Sequence, residues 1–236
     1  MFPAVVFQKK INPDLRVYFI QCDEFYDRSE LYGTAQGDYS DNAERFSYFS
    51  LAVLELCREF TLKPHIIHCN DWQTGLIPAY LKKLYGLDRD PVFRGTKTVF
   101  TIHNMAYQGI FPAEVMSCAS IPRELFSLQG LEFYNKINLL KGGLVFADRL
   151  TTVSPKYAEE IQTPEFGHGL EGVLKERKKD LYGILNGIDY SIWDPKNDPH
   201  IAARYSPEDF TGKKTCKKAL IKKLKLQGSE DSPCLL

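Results

Sequence analysis

Five short runs along the chain are apolar almost without interruption: 16–22 (RVYFIQC), 65–70 (HIIHCN), 98–103 (TVFTIH), 149–154 (RLTTVS) and 181–186 (LYGILN). Continuous rather than alternating apolar character is what strands of a parallel sheet covered on both faces require. Helical periodicity fills the intervals. Across 41–60, Phe46, Phe49, Val53, Leu56 and Phe60 recur at spacings of three and four behind the candidate caps Asp41 and Asn42. Across 74–86, Thr74 stands at the start and Gly86 at the end, the usual signals for both. Strand, helix, strand in succession implies right-handed crossovers and one sheet. The pattern predicts an α/β fold, one parallel sheet covered on both faces. The run at 212–226 (GKKTCKKALIKKLKL) reads as an amphipathic helix with a solvated basic face, and 227–236 (QGSEDSPCLL) as a turn-rich linker ending in the first residues of an apolar run.

In a sheet of this kind the residues just past the strand C-termini face the ligand crevice. Four of the five predicted strands end in chemically capable residues: HCNDWQTG after the second, HNMAYQG after the third, VSPKY after the fourth and NGIDY after the fifth. A shared crevice accounts for the set better than four separate structural reasons would.

Composition narrows the ligand. Thirty basic side chains balance thirty acidic ones, so the chain lacks the electrostatic footprint of a nucleic-acid or membrane-surface binder, and a neutral or small ligand is expected. No apolar run approaches the roughly 20 residues of a membrane span, and the order of charge in MFPAVVFQKK is the reverse of a signal peptide, which predicts a cytoplasmic protein. Six cysteines at 22, 57, 69, 118, 216 and 234 form no C-x-x-C pair and are expected as free thiols.

The chemistry concentrates in three stretches. His103 and Asn104, followed by Tyr107, Gln108 and Gly109, combine an imidazole, amides suited to reading hydroxyls and a glycine that admits close approach. His68, Asp71 and Trp72 fall within five residues; strand alternation points His65 and His68 unhelpfully for a metal, so none is expected, while Asp71 also suits the cap of the next helix and Trp72 either a platform or plain packing. Asn186 and Gly187 look like a hairpin turn, yet Asp189 and Trp193 follow at once. Gly167, Gly169 and Gly172 match G-x-G-x-x-G without a preceding strand, which favours a loop entering a helix over a dinucleotide site.

Taken together, YFIQCDEFYDRSELYG, DYSDNAERFSYFS, HCNDWQTGLIPAYLK, TIHNMAYQGIFP, the long segment from LEFYNKINLLKGG to GHGLEGVL, and GILNGIDYSIWDP closely resemble the bacterial glycogen synthase and plant starch synthase family, over about residues 14 to 226. The resemblance implies the N-terminal half of a GT-B glycosyltransferase, an α/β domain with a Rossmann-like parallel sheet and helices on both faces. Such an enzyme transfers glucose from ADP-glucose to the non-reducing end of an α-1,4-glucan with retention of configuration and without a metal or other cofactor. It implies that His103 contacts the donor sugar, its side chain toward the 6-hydroxyl and its carbonyl near charge developing at the anomeric carbon, where preorganised dipoles matter most. It places Asp71 and Asn186 in the same cleft as hydroxyl readers, Tyr39 along the acceptor path, and Tyr107 and Gln108 in the loop with His103. Two family features are absent from this sequence: the K-x-G-G-L loop that holds the donor diphosphate, and the second domain with its basic pair. Residues 1–226 are accordingly expected to form a catalytic N-terminal domain without its first strand, inactive alone, with a non-catalytic α-glucan-binding fragment as the alternative.

Overall fold

The computed structural model describes residues 3–86 and 89–226; the side chain of Cys118, Cys234 and the expected linker 227–236 lie outside the described residues. The chain divides into two compact units, Met1–Leu185 and Asn186–Leu236.

The first unit opens with an antiparallel hairpin, β1 (Val5–Lys10) and β2 (Arg16–Gln21). A short helix α1 (Asp23–Tyr26) and a two-residue ladder, β3 (Gly33–Thr34) with β4 (Gly37–Asp38), lead to α2 (Asn42–Glu59). There follow β5 (Ile66–Asn70), α3 (Leu76–Tyr80), β6 (Lys97–Ile102), β7 (Ile110–Pro112), α4 (Val115–Cys118), β8 (Glu132–Phe133), β9 (Lys136–Asn138) and α5 (Leu139–Phe146). The unit closes with β10 (Arg149–Thr152), α6 (Pro155–Glu160), α7 (Pro164–Gly167), α8 (Glu171–Glu176) and β11 (Leu181–Gly183). Four strands form the central parallel sheet in the order β11-β10-β6-β5. Strands β7, β9 and β8 make a separate antiparallel sheet.

Four of the five predicted strands are therefore the parallel sheet, each within three residues of its expected bounds. The run at 16–22 is a correction: it pairs antiparallel with β1, and its faces divide between Ile20, half-buried, and Phe19, exposed. Burial in the central sheet is mostly one-sided within this unit, Thr101 being a buried residue of the other face. Cys69, Phe100, Ile102, Leu150 and Thr152 are buried, whereas Ile66, His68, Asn70, Lys97, Arg149 and Tyr182 on the opposite parity are exposed. On that second face His68 Nε2 lies 2.6 Å from Thr101 Oγ1, which lies 2.6 Å from Thr151 Oγ1, a polar line across three strands. Threonine is β-branched and counts toward strand propensity, yet it carries a hydroxyl that needs a partner.

The buried face is packed tightly. The Phe100 ring lies so close to Gly143 of α5 that a Cβ there would fall inside it, and full burial of a side chain of this kind contributes about 1.5–3 kcal/mol. Helix α2 forms where 41–60 predicts it and buries Leu56 of the predicted stripe, but its main buried line is Ala43, Ser47, Ser50, Leu54 and Cys57, one residue out of step with the rest of that stripe. The larger residues are half-covered, Phe46 by Trp72, while Phe60 stays exposed beside Tyr18 of the hairpin. Small side chains let α2 approach its neighbours closely, which overrides the sequence's preference for the bulkier stripe.

The second unit contains α9 (Thr211–Leu224), near the span predicted for the basic helix, and none of its residues is buried. Residues 184–189 have no regular structure, so Asn186 and Gly187 do not turn a hairpin. No helix among the described residues is long and apolar enough to cross a membrane. Cys22, Cys57, Cys69 and Cys216 are free thiols, and burial pushes Cys69 up to about 12.

Candidate active site

Asp71 immediately follows β5 and His103 immediately follows β6, so adjacent parallel strands deliver them to the same sheet edge. Asp71 Oδ1 accepts the backbone N–H of His103 at 2.8 Å, and Asp71 Oδ2 lies 2.9 Å from His103 Nδ1. A carboxylate oxygen beside Nδ1 suits an Nδ1–H donor, the tautomer in which the Nε2 of a neutral imidazole serves as an acceptor. Both side chains keep access, at 47% exposure for His103 and 29% for Asp71. The helix-cap reading of Asp71 is corrected: its side chain bonds no backbone N–H of the following turn. It sits instead at φ 57°, ψ −177°, its own N–H donating 2.9 Å to Thr101 O and its carbonyl taking a bond from Thr74 Oγ1. Such a backbone conformation costs an aspartate about 1–3 kcal/mol. The distortion turns the carboxylate across to the neighbouring strand.

The loop after His103 is fastened from several sides. Asn104 Oδ1 accepts Ala106 N at 2.9 Å, and Met105 N donates to Tyr157 OH of α6 at 3.0 Å. Gln108 is buried and all its polar atoms are engaged: Nε2 donates to Met105 O and His168 O, while Oε1 accepts Asn138 Nδ2 at 2.6 Å. Asn138 in turn caps α5 through Lys141 N, and Leu139 N and Leu140 N donate to the carbonyls of Gly109 and Gln108. Gly109, at φ 60°, lies flat against the Trp72 indole, where a Cβ would collide. Trp72 is 9% exposed among Phe46, Phe111 and Tyr32. Of the sequence candidates, Gln108 and Trp72 thus pack into the frame that shapes the loop, Trp72 on the packing side of its two readings. His103, Asn104 and Tyr107, the last 68% exposed, form its open surface.

Tyr39 is half-buried, its ring flanked by the guanidinium carbons of Arg28 at 5.1 Å and Arg45 at 5.0 Å. Asn186, Gly187 and Asp189 belong to the second unit. Asp189 Oδ1 accepts both Ser191 Oγ and Ser191 N, which holds its carboxyl below the ordinary aspartate value. The glycines at 167, 169 and 172 span the break between α7 and α8, with His168 and Gly169 left-handed and no strand before them. Sequence reasoning missed Asn138, Lys141, Tyr157 and His168. Only Asn138, an Asn directly before an apolar helical run, carried a readable signal.

The chain as a whole matches, at 35% identity over 96% of its length and a TM-score of 0.76, the catalytic domain of starch synthase IV from Arabidopsis thaliana bound to ADP and acarbose, of which it covers 45%. The fold class is the Rossmann-like half of a GT-B glycosyltransferase. Residues 3–176 match the family model of the starch synthase catalytic domain, and the chain belongs to that family. It is 51% identical over 219 residues to the glycogen synthase of Thermodesulfovibrio yellowstonii, and 47% identical over 222 residues to that of Syntrophotalea carbinolica. These alignments take in 93% and 94% of this chain but 44% and 46% of the relatives, so it spans just under half their length.

Proposed function

We propose that this chain supplies the His103 side of a catalytic site that transfers glucose from ADP-glucose to the non-reducing end of an α-1,4-glucan with retention, as part of a longer polypeptide. The observation that carries this reading is the double contact of Asp71 with His103. One carboxylate oxygen sets the backbone of His103 and the other sets its ring, so the imidazole is aimed before any sugar arrives. Nε2, its lone pair free, is an acceptor for a sugar hydroxyl, and the 6-hydroxyl of the donor glucose is the group assigned to it. The carbonyl of His103 is assigned to the anomeric carbon as positive charge develops there. A dipole preorganised at such a point needs no reorganisation during reaction. Asp71 then acts through His103, as a positioning residue, rather than on a hydroxyl directly.

By the family resemblance Asn186 and Asp189 are assigned to substrate hydroxyls, Tyr39 to the acceptor path, and Asn104 and Tyr107 to the substrate from the loop that carries His103. The diphosphate of the donor is assigned to parts of the longer protein, since this sequence has no K-x-G-G-L loop. The chain alone is therefore expected to incorporate no glucose from ADP-glucose into glycogen; incorporation above the level of a boiled sample would refute that division of labour. Nitrogen NMR of the imidazole tests the positioning itself. Protonation at Nδ1 in the wild type and a shift toward the Nε2–H tautomer in Asp71→Ala is the expected pair of results, and an unchanged tautomer in the variant would remove Asp71 from the role.

A further inference from the structure

The turn joining β8 to β9 is built from Tyr134 and Asn135, both at positive φ, 50° and 63°. Two-residue hairpin turns of this type favour Asn-Gly, because a bulky side chain at positive φ is strained. Tyr134 nevertheless stands there 76% exposed, its ring packed edge-on to Phe133 at 4.7 Å between centroids. Among the described residues its hydroxyl has no partner. The turn is held rigidly from below: Asn135 N donates to Glu132 Oε1, and the buried ammonium of Lys141 donates to the carbonyls of Leu128 and Glu132. Gly169 lies beside both rings, where a methyl group would fall 2.9 Å from Phe133 Cζ and 3.7 Å from Tyr134 Cε2. This corner is continuous with the His103 loop, because Gln108 binds the carbonyl of His168 and β7, which follows that loop, pairs with β9.

We infer that the Tyr134 ring is a stacking platform for a further glucose unit of the α-1,4-glucan acceptor, with Gly169 keeping the space above it clear. The inference rests on the acceptor class named under Proposed function. An aromatic face offers a neutral polymer apolar contact with the C–H side of a pyranose, and its hydroxyl a polar contact at the rim. A strained, exposed and rigidly backed tyrosine fits that use. Strain of this kind persists where the surrounding structure over-determines it and collects at ligand-holding positions.

The test is binding of the full 236-residue chain to glycogen, by retardation in glycogen-containing native gels and by co-sedimentation, alongside thermal melting. Tyr134→Gly removes the ring and relieves the positive φ, so its melting midpoint is expected to equal or exceed that of the wild type while its glycogen affinity falls by about fivefold or more. Tyr134→Phe keeps the platform and is expected to bind within about twofold of the wild type. A Tyr134→Gly variant that binds glycogen as the wild type does overturns the platform and leaves the acceptor reading standing. Equal losses in Tyr134→Gly and Tyr134→Phe overturn it too, since the ring would then be irrelevant. A folded wild type that does not bind glycogen removes the acceptor reading, and the platform with it.

Discussion

The loop after His103 and the segment from Asn186 to Trp193 both follow strands of the same sheet or lie just past one, and both are rich in polar side chains, yet they are held in opposite ways. The first is fixed by long-range bonds: Asp71 to His103 across 32 residues, Asn138 to Gln108 across 30, His168 to Gln108 across 60. The second is held by near neighbours, the Asp189 carboxylate with Ser191 and the Asp189 carbonyl with Ile192 N and Trp193 N, while Ile188, Tyr190, Ile192 and Trp193 remain exposed. A side chain positioned by distant partners inherits the rigidity of the core. One positioned by neighbours two or three residues away has only its local turn.

The contrast is broken most severely from the core. Phe100→Ala empties the space against Gly143 beneath β6 and is expected to cost the first unit about 3–5 kcal/mol. Hydrogen exchange read by peptide mass spectrometry should then rise across β5, β6 and β10 and stay unchanged across 186–226. A parallel rise in both units would show that they unfold together and that the contrast is only local.

Next in size is Asn138→Leu, which leaves Gln108 Oε1 buried without its donor and removes the cap of α5. An orphaned buried acceptor costs about 1–3 kcal/mol and a lost cap about 1. The specific signature is faster exchange at 103–109 with little change in β10. Unaltered exchange in that loop would mean that the Tyr157 and backbone bonds suffice to hold it.

Asn138 also marks how far the sequence could be read. The four parallel strands were legible because unbroken runs such as TVFTI and RLTT have few other uses, and the strand-end rule pointed at His103 and Asp71 without any partner being known. The roles were less legible than the positions. Asp71 before Trp-Gln-Thr reads as a helix cap, and only a φ of 57° sends its carboxylate to the next strand instead. Gln108 looks like a free amide in sequence, because its partners at 138 and 168 are chosen by packing. The hairpin of β1 and β2 was hidden by Gln8, Lys9 and Lys10, polar residues on an exposed ladder that blunt the strand pattern. Asn135 suits a positive-φ turn, but Tyr134 before it does not, so the local sequence does not announce the hairpin.

A smaller effect is expected from acid. Burial by itself would push the Asp148 carboxyl up, but the Thr98 N–H and hydroxyl at 2.8 and 2.9 Å, with Lys82 and Lys97 nearby, hold it below the ordinary aspartate value. A carboxyl depressed in the folded state contributes stability that is complete above its unfolded value, about 4, and is lost as pH falls through the folded value. Thr98→Val removes the hydroxyl bond, so the variant should melt below the wild type at pH 7 and the gap should narrow as pH falls below about 4. A gap that is constant with pH would assign the loss to packing in β6 rather than to the carboxylate.

The smallest effect is expected where the second unit's order is local. Asp189 is also held below the ordinary value, through the hydroxyl and N–H of Ser191, but it is fully exposed to solvent, which supplies equivalent hydrogen bonds when the turn opens. Ser191→Ala should therefore leave the melting midpoint unmoved while quickening exchange at Ser191 and Ile192. If the chain acts within a longer polypeptide as proposed, the same substitution should matter more there, because ordering this segment against a partner surface would make each local bond part of a packed site. A full-length relative carrying the equivalent change and showing no alteration in KM for ADP-glucose would place Asp189 outside the proposed site, and confine the proposal to the Asp71–His103 pair, which long-range bonds already hold in this chain.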